Sequence, residues 1–204
     1  MKIYDTDFKW AGGMLTRPLT KRIILHHRAG TGDVISIHNE HLKKGWNGIG
    51  YHFYVRKDGT VYRGRPIEKV GAHTEGFNVD SIGICFEGNF EEEFPKAQQI
   101  SSGRLLIGHI EECYGKKLEV VRHSDLCVTA CPGKNFSLEK VKEISDDEVV
   151  SAMFKDGVIS LSNIENWELF LSGKAKPKAE YIKTVIRRYQ KKLLDKKCEG
   201  RDPV

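Results

Sequence analysis

Residues 51–64 read YHFYVRKDGTVYRG, two alternating aromatic and β-branched runs on either side of Asp58-Gly59. Alternation is the period of a half-buried strand, and an Asp-Gly pair suits a tight turn, so this stretch predicts an antiparallel hairpin. Its surroundings read differently. RIILHH, residues 22–27, is a short apolar run ending in polar residues, as a buried strand does when it delivers side chains to its end. ISIHNEHLKKGW, residues 35–46, predicts a helix capped by Ser36 and stopped near Gly45. SIGICFEG, residues 81–88, is a second buried strand. From Pro95 to Tyr114 the residues Ile100, Leu106, Ile107, Ile110 and Tyr114 recur at helical spacing, and Gly115 stands where a C-terminal cap would. LEVVRH, residues 118–123, closes the series as a last strand. Strands alternating with helices over residues 20–144 predict an α/β domain whose central sheet is flanked by helices, and the hairpin makes that sheet mixed.

The length of 204 residues fits one well-filled domain and a smaller one. We place them at 1–144 and 145–204. No apolar run approaches the roughly 20 residues of a membrane-spanning helix, so membrane insertion is not expected. The opening MKIYDTDFKW lacks the apolar centre of a signal peptide, which predicts a protein made and kept in a cytoplasm. Five cysteines, at 85, 113, 127, 131 and 198, are odd in number and irregular in spacing. In such a protein they suggest free thiols or metal ligands before a disulfide framework.

After Phe136 the pattern turns helical. Ser145-x-x-Glu148 and Ser162-x-x-Glu165 are capping-box signatures, and Ile182, Val185, Ile186, Tyr189 and Leu193 form one apolar stripe of a further helix. From Lys174 to Val204 there are eleven Lys/Arg against four Asp/Glu, a local +7, so the remainder carries −2 of the overall +5. Residues 145–204 therefore predict a small all-α domain with a cationic face. That face suits an anionic polymer, with an affinity that falls with salt. No aromatic stacking platform or recognition motif accompanies the charge, so a nucleic acid is not expected.

The chemistry gathers in VRHSDLCVTACPG, residues 121–133. Zinc takes nitrogen and sulfur ligands tetrahedrally, and catalytic sites keep three protein ligands with one position open. His123 and Cys131 lie on one loop that can fold back to present both. His26 supplies the third ligand if the strands before His26 and His123 are neighbours. A closed site that also recruits Cys127 would be structural, with no position left for water. Buried thiols beside an ordinary histidine are a further alternative.

ILHHRAG, GWNGIGYHFYVRKDGTVYRGRP, VGAHTEGFNVDSIGICFEGNF and RHSDLCVTACPG stand in the order and spacing of a known family. Over about residues 20–137 the chain resembles the type 2 N-acetylmuramoyl-L-alanine amidases, which include phage lysozymes of the amidase kind and peptidoglycan recognition proteins. The resemblance implies a zinc amidase fold with Zn2+ on His26, His123 and Cys131, and gives Cys127 no counterpart ligand. It implies Tyr51 beside the zinc water, as an orienter of that water or an oxyanion donor. It also implies His73 and Asn78 along the groove for the lactyl-peptide stem. Arg28, just past the ligand strand, is placed to reach a stem carboxylate.

Neighbours on a strand point to opposite faces, so His27 is expected to pack or support rather than to bind the same ion as His26. His38 and His41, one turn apart on the next helix, are expected outside the site, with His41 packing before Gly-Trp. Many phage and bacterial relatives carry a lysine two residues before the cysteine ligand, where this chain has Thr129. A hydroxyl donates a hydrogen bond but brings no charge, which predicts weaker electrostatic stabilisation. Animal recognition proteins share a hydroxyl there.

Together these readings imply hydrolysis of the amide between N-acetylmuramic acid and L-alanine of bacterial peptidoglycan. A phage or prophage endolysin, held in the cytoplasm until host lysis and then acting on the cell wall, accounts for the added basic domain. That domain also weakly resembles a helical module of cell-wall and spore-associated proteins. A non-catalytic peptidoglycan-binding module and a cytoplasmic muropeptide-recycling amidase are the alternatives.

Overall fold

The computed structural model describes residues 2–142. The expected all-α domain at 145–204 lies outside the described residues. The described chain runs β1 (Ile3–Tyr4), β2 (Arg22–His27), α1 (Val34–Lys43), β3 (Phe53–Val55), β4 (Val61–Arg63), β5 (Ser81–Phe86), α2 (Ala97–Cys113), β6 (Glu119–Arg122) and α3 (Leu138–Lys142). Six strands form one sheet in the order β1-β4-β3-β5-β2-β6. Only β3 and β4 pair antiparallel; all other neighbours are parallel, so the sheet is mixed through the hairpin alone.

The hairpin closes less tightly than a two-residue turn. Arg56 N–H donates to the Thr60 carbonyl at 2.8 Å, and Gly59 at φ +85° takes the left-handed position between them. A three-residue connection with glycine at that position keeps the twist of the two strands compatible. Asp58 Oδ1 accepts from Thr60 N–H at 2.8 Å and fixes the turn.

Period-two alternation sorts the sheet into two faces. On one, Ile23, Leu25, Phe53, Val55, Val61, Ile82, Ile84, Phe86 and Val120 pack against Leu106, Ile107 and Ile110 of α2 and Val141 of α3. On the other, Tyr54 and Cys85 pack with Val34 and Ile37 of α1. The helices therefore flank the sheet on both sides. Burial of this kind is worth roughly 25 cal/mol per Å² of apolar surface and holds the sheet rigid under the loops.

The cap of α1 differs from the sequence expectation. Asp33, not Ser36, is the N-cap: its Oδ1 accepts from Ser36 N–H at 2.8 Å, while the Ser36 hydroxyl donates back to the Asp33 carbonyl at 2.7 Å. The carboxylate meets the first exposed N–H groups where the helix dipole is positive, a cap worth about 0.5–2 kcal/mol. The other terminus is as read, with Gly45 at φ +78° just beyond the C-cap Lys44. Likewise Gly115, at φ +62°, follows the C-cap Tyr114 of α2. No described helix is long and apolar enough to cross a membrane.

Candidate metal centre and active site

Strand β2 lies between β5 and β6, and its pairing with β6 sets the site. Leu25 is the register partner of Arg122. The next residue of each chain segment is then a histidine, His26 on β2 and His123 in the 3-10 turn His123–Asp125 that ends β6. Their rings lie 4.7 Å apart. Cys131 returns on the following loop, where Ser124 N–H donates to the Cys131 carbonyl at 2.8 Å. Its Sγ comes to 3.7 Å from His26 Nδ1 and accepts from His27 N–H at 3.4 Å.

One ligand atom each from His26, His123 and Cys131 lies within 4.8 Å of the others. Tetrahedral zinc, with nitrogen at about 2.0–2.1 Å and sulfur at about 2.3 Å, sets an N and an S about 3.6 Å apart, close to the observed separation of His26 and Cys131. The donor types and spacing thus fit this metal. Among the described residues no other His, Cys, Asp or Glu group of three gathers in this way. Cys127 is not part of the set; its N–H donates to the His123 carbonyl at 3.1 Å and its thiol is free.

Burial keeps the imidazoles of His26 and His123 neutral, their pKa values lowered from the usual range, His26 strongly so with His123 beside it. Burial pushes the Cys131 thiol up to about 11, partly offset by the His27 N–H. Two lone-pair nitrogens are therefore ready, while the thiol gives up its proton only to a bound cation. Tyr51 packs against the Tyr54 and Cys85 cluster with its ring 5.2 Å from that of His26. Burial, with Cys85 and Cys131 near, raises its phenol well above the ordinary value, so it is a proton donor at neutral pH.

The remaining expected residues fall in distinct places. The Thr129 side chain is exposed and its Oγ1 accepts from Cys131 N–H at 3.2 Å, so the hydroxyl shapes the turn that carries Cys131. Arg28 turns to α1 and pairs with Glu40. Asn78 uses its Oδ1 for the loop, accepting from the N–H groups of His73 and Thr74 at 2.9 Å each. His73 is 9% exposed and its Nδ1 sits 3.1 Å from His26 Nε2.

The other histidines are engaged elsewhere. His27 turns to the opposite face, where its Nδ1 accepts from Phe90 N–H at 3.1 Å. His38 Nδ1 accepts from Ile49 N–H at 3.2 Å and its Nε2 donates to the Lys9 carbonyl at 3.1 Å, with Phe8 stacked on the ring. His41 Nδ1 accepts from Gly50 N–H at 3.0 Å, and Trp46 lies on its ring.

Sequence reasoning passed over Thr74, Gly83 and Glu40. Only Gly83 carried a signal, because a glycine inside a strand marks close approach of another group. Here a Cβ at Gly83 would stand 2.6 Å from the His73 ring.

A parallel-rich mixed sheet thus sets two histidines at the ends of adjacent strands, with a cysteine from the following loop beside them, in a group that could hold a metal ion. The sequence pattern of N-acetylmuramoyl-L-alanine amidases matches residues 16–134, and the chain belongs to that family. An endolysin of Klebsiella phage KP32 is 36% identical over 134 residues, 61% of this chain and 86% of that relative. The solved N-acetylmuramoyl-L-alanine amidase LysC from Clostridium intestinale URNW is 40% identical, with a TM-score of 0.67 over 70% of this chain and 95% of that one. A peptidoglycan recognition protein-LE structure, in complex with tracheal cytotoxin, a monomeric diaminopimelic acid-type peptidoglycan, is 28% identical with a TM-score of 0.62, covering 66% of this chain and 89% of that one.

Proposed function

We propose that this protein is a zinc-dependent amidase that hydrolyses the bond between the lactyl group of N-acetylmuramic acid and L-alanine in bacterial peptidoglycan. The carrying observation is the meeting of His26, His123 and Cys131, one candidate ligand atom from each within 4.8 Å of the others, in the number and type that catalytic zinc sites use. When bound, zinc supplies Lewis acidity to the amide carbonyl and lowers the pKa of a water towards roughly 7. The residues around it do the rest. Tyr51, kept protonated by its burial, would donate a hydrogen bond to the attacking water or to the developing oxyanion. Thr129 holds the Cys131 turn through its Oγ1, and its hydroxyl keeps a proton that it can donate to the substrate.

Arg28 offers a guanidinium to a stem carboxylate in competition with Glu40. Asn78 orders the loop along the peptide stem and contributes to its binding. Likeness to phage endolysins and to a recognition protein bound to a muropeptide supports peptidoglycan as the substrate. The same likeness supports an endolysin that reaches the wall at lysis, with residues 145–204 on anionic wall polymer.

Incubation with purified cell walls should release new L-alanine N-termini without new reducing sugar ends, and a chelator should stop it. Wall digestion that yields no new amine groups would remove the enzymatic reading. It would leave muropeptide binding, as in the recognition proteins.

A further inference from the structure

We infer that His73, buttressed by Thr74, is the positioning residue that locks His26 in its metal-binding tautomer; this rests on the zinc reading above. His26 turns Nδ1 to Cys131, 3.7 Å from its sulfur, so Nδ1 is the ligand atom. A ligand nitrogen must offer a lone pair, and a neutral imidazole has one N–H. The proton therefore belongs on Nε2, which needs an acceptor because His26 is 1% exposed. Two atoms are in reach: His73 Nδ1 at 3.1 Å and Thr74 Oγ1 at 3.4 Å.

For His73 Nδ1 to accept, the His73 proton must sit on Nε2. Thr74 Oγ1, 3.1 Å from the same Nδ1 and 3.4 Å from His26 Nε2, supports that state as a second, longer acceptor for the His26 Nε2–H. The His73 ring has little room to depart. A Cβ at Gly71 would lie 2.4 Å from its Cδ2, and one at Gly83 2.6 Å, so the two glycines form a slot for the imidazole. The main chain beneath is pinned by the Asn78 side chain, which takes the N–H of both His73 and Thr74.

The slot is a cost as well as a constraint. His73 Nε2 is buried with no hydrogen-bond partner among the described residues. Leaving a buried polar atom unpaired is unfavourable, and here it accompanies a ring aimed at His26. Supporting partners of ligating histidines are commonly carboxylates or carbonyls. A neutral imidazole in that place orients His26 without adding negative charge, which leaves the two-histidine, one-thiolate set at +1 with zinc.

The test begins on the metal-free full chain without substitution. The nitrogen resonances of the His26 ring in a two-dimensional proton–nitrogen spectrum at neutral pH distinguish its Nε2–H, Nδ1–H and doubly protonated states. The expected state is Nε2–H; an Nδ1–H or doubly protonated state overturns the proposal, whatever the protein does with zinc.

Variants test the acceptor. His73→Phe keeps a ring in the slot and removes the acceptor, and should weaken zinc binding by about 10- to 100-fold in competition with a chelator. The d–d absorption of the Co(II) form should change with it. His73→Asn, whose Oδ1 stands near the position of Nδ1, should recover most of the affinity. Unchanged affinity in His73→Phe, or equal loss in both variants, would overturn the role. Failure of the unsubstituted chain to bind zinc would instead remove the zinc reading on which the role rests.

Discussion

His27 donates its main-chain N–H to Sγ of Cys131 across 3.4 Å, while its imidazole points to the other face of the sheet. The sulfur is therefore held by backbone at the same strand end that carries His26, 105 positions away in sequence from Cys131. A backbone donor favours the thiolate, and it cannot be lost by side-chain motion.

Cys131→Ala should accordingly abolish zinc retention and amide hydrolysis, whereas Cys127→Ala should leave both nearly intact. Metal content after dialysis and amine release from cell walls measure the pair. Equal loss in the two variants would point to a closed four-ligand site.

Tyr51→Phe should lower kcat by about 10²- to 10³-fold, the usual effect of deleting one donor to an oxyanion. The phenol is not one of the three ligand groups, so zinc content should not change. A variant with full kcat would take Tyr51 out of the reaction.

Gly83→Ala tests the slot behind the site. The new methyl would meet the His73 ring at 2.6 Å, where overpacking typically costs about 1–3 kcal/mol. Gly13→Ala, with nothing within 4 Å of its added Cβ, is the control. Urea melts should separate the two, and equal midpoints would mean that the slot yields without cost.

Acid should destabilise the chelated protein well before its carboxylates titrate. Burial lowers His41 to about 4 and His52 to about 3, while both titrate near 6.5 when unfolded. As pH falls below 6.5 the unfolded chain takes up protons that the folded one refuses until about pH 4 and 3. Stability is thus complete above 6.5 and falls by about 1.4 kcal/mol per pH unit for each group inside that window. These two alone predict a loss of about 3–4 kcal/mol between pH 7 and pH 5. The carboxylates held low by Arg122 at Asp125 and by Lys57 at Glu93 act in a lower window, since their unfolded values lie near 4. A urea midpoint equal at pH 7 and pH 5 would contradict the assignment.

Much of this arrangement is legible in the chain. The 51–64 hairpin and the two capping glycines, Gly45 and Gly115, follow from local rules, because turn geometry and hydrophobic period depend on adjacent residues alone. The exclusion of His27 from the ion rests on the same period of two. Asp33 was missed as a cap because three polar candidates precede Ile37 and only backbone angles choose between them. The β1 strand, two residues pairing with Val61 and Tyr62, is too short to carry any periodicity.

For the site, the residue types and their order in sequence determined which groups can ligate a metal: two imidazoles and a thiol, with Cys127 available by spacing alone. Only the tertiary structure decided that β2 and β6 are neighbours in a register that sets His26 beside His123, and that the His73 ring meets Nε2 of His26. The reason is physical. Strand pairing and the fit of a ring between Gly71 and Gly83 are long-range contacts, made by surfaces that the sequence lists far apart and that the sheet brings together.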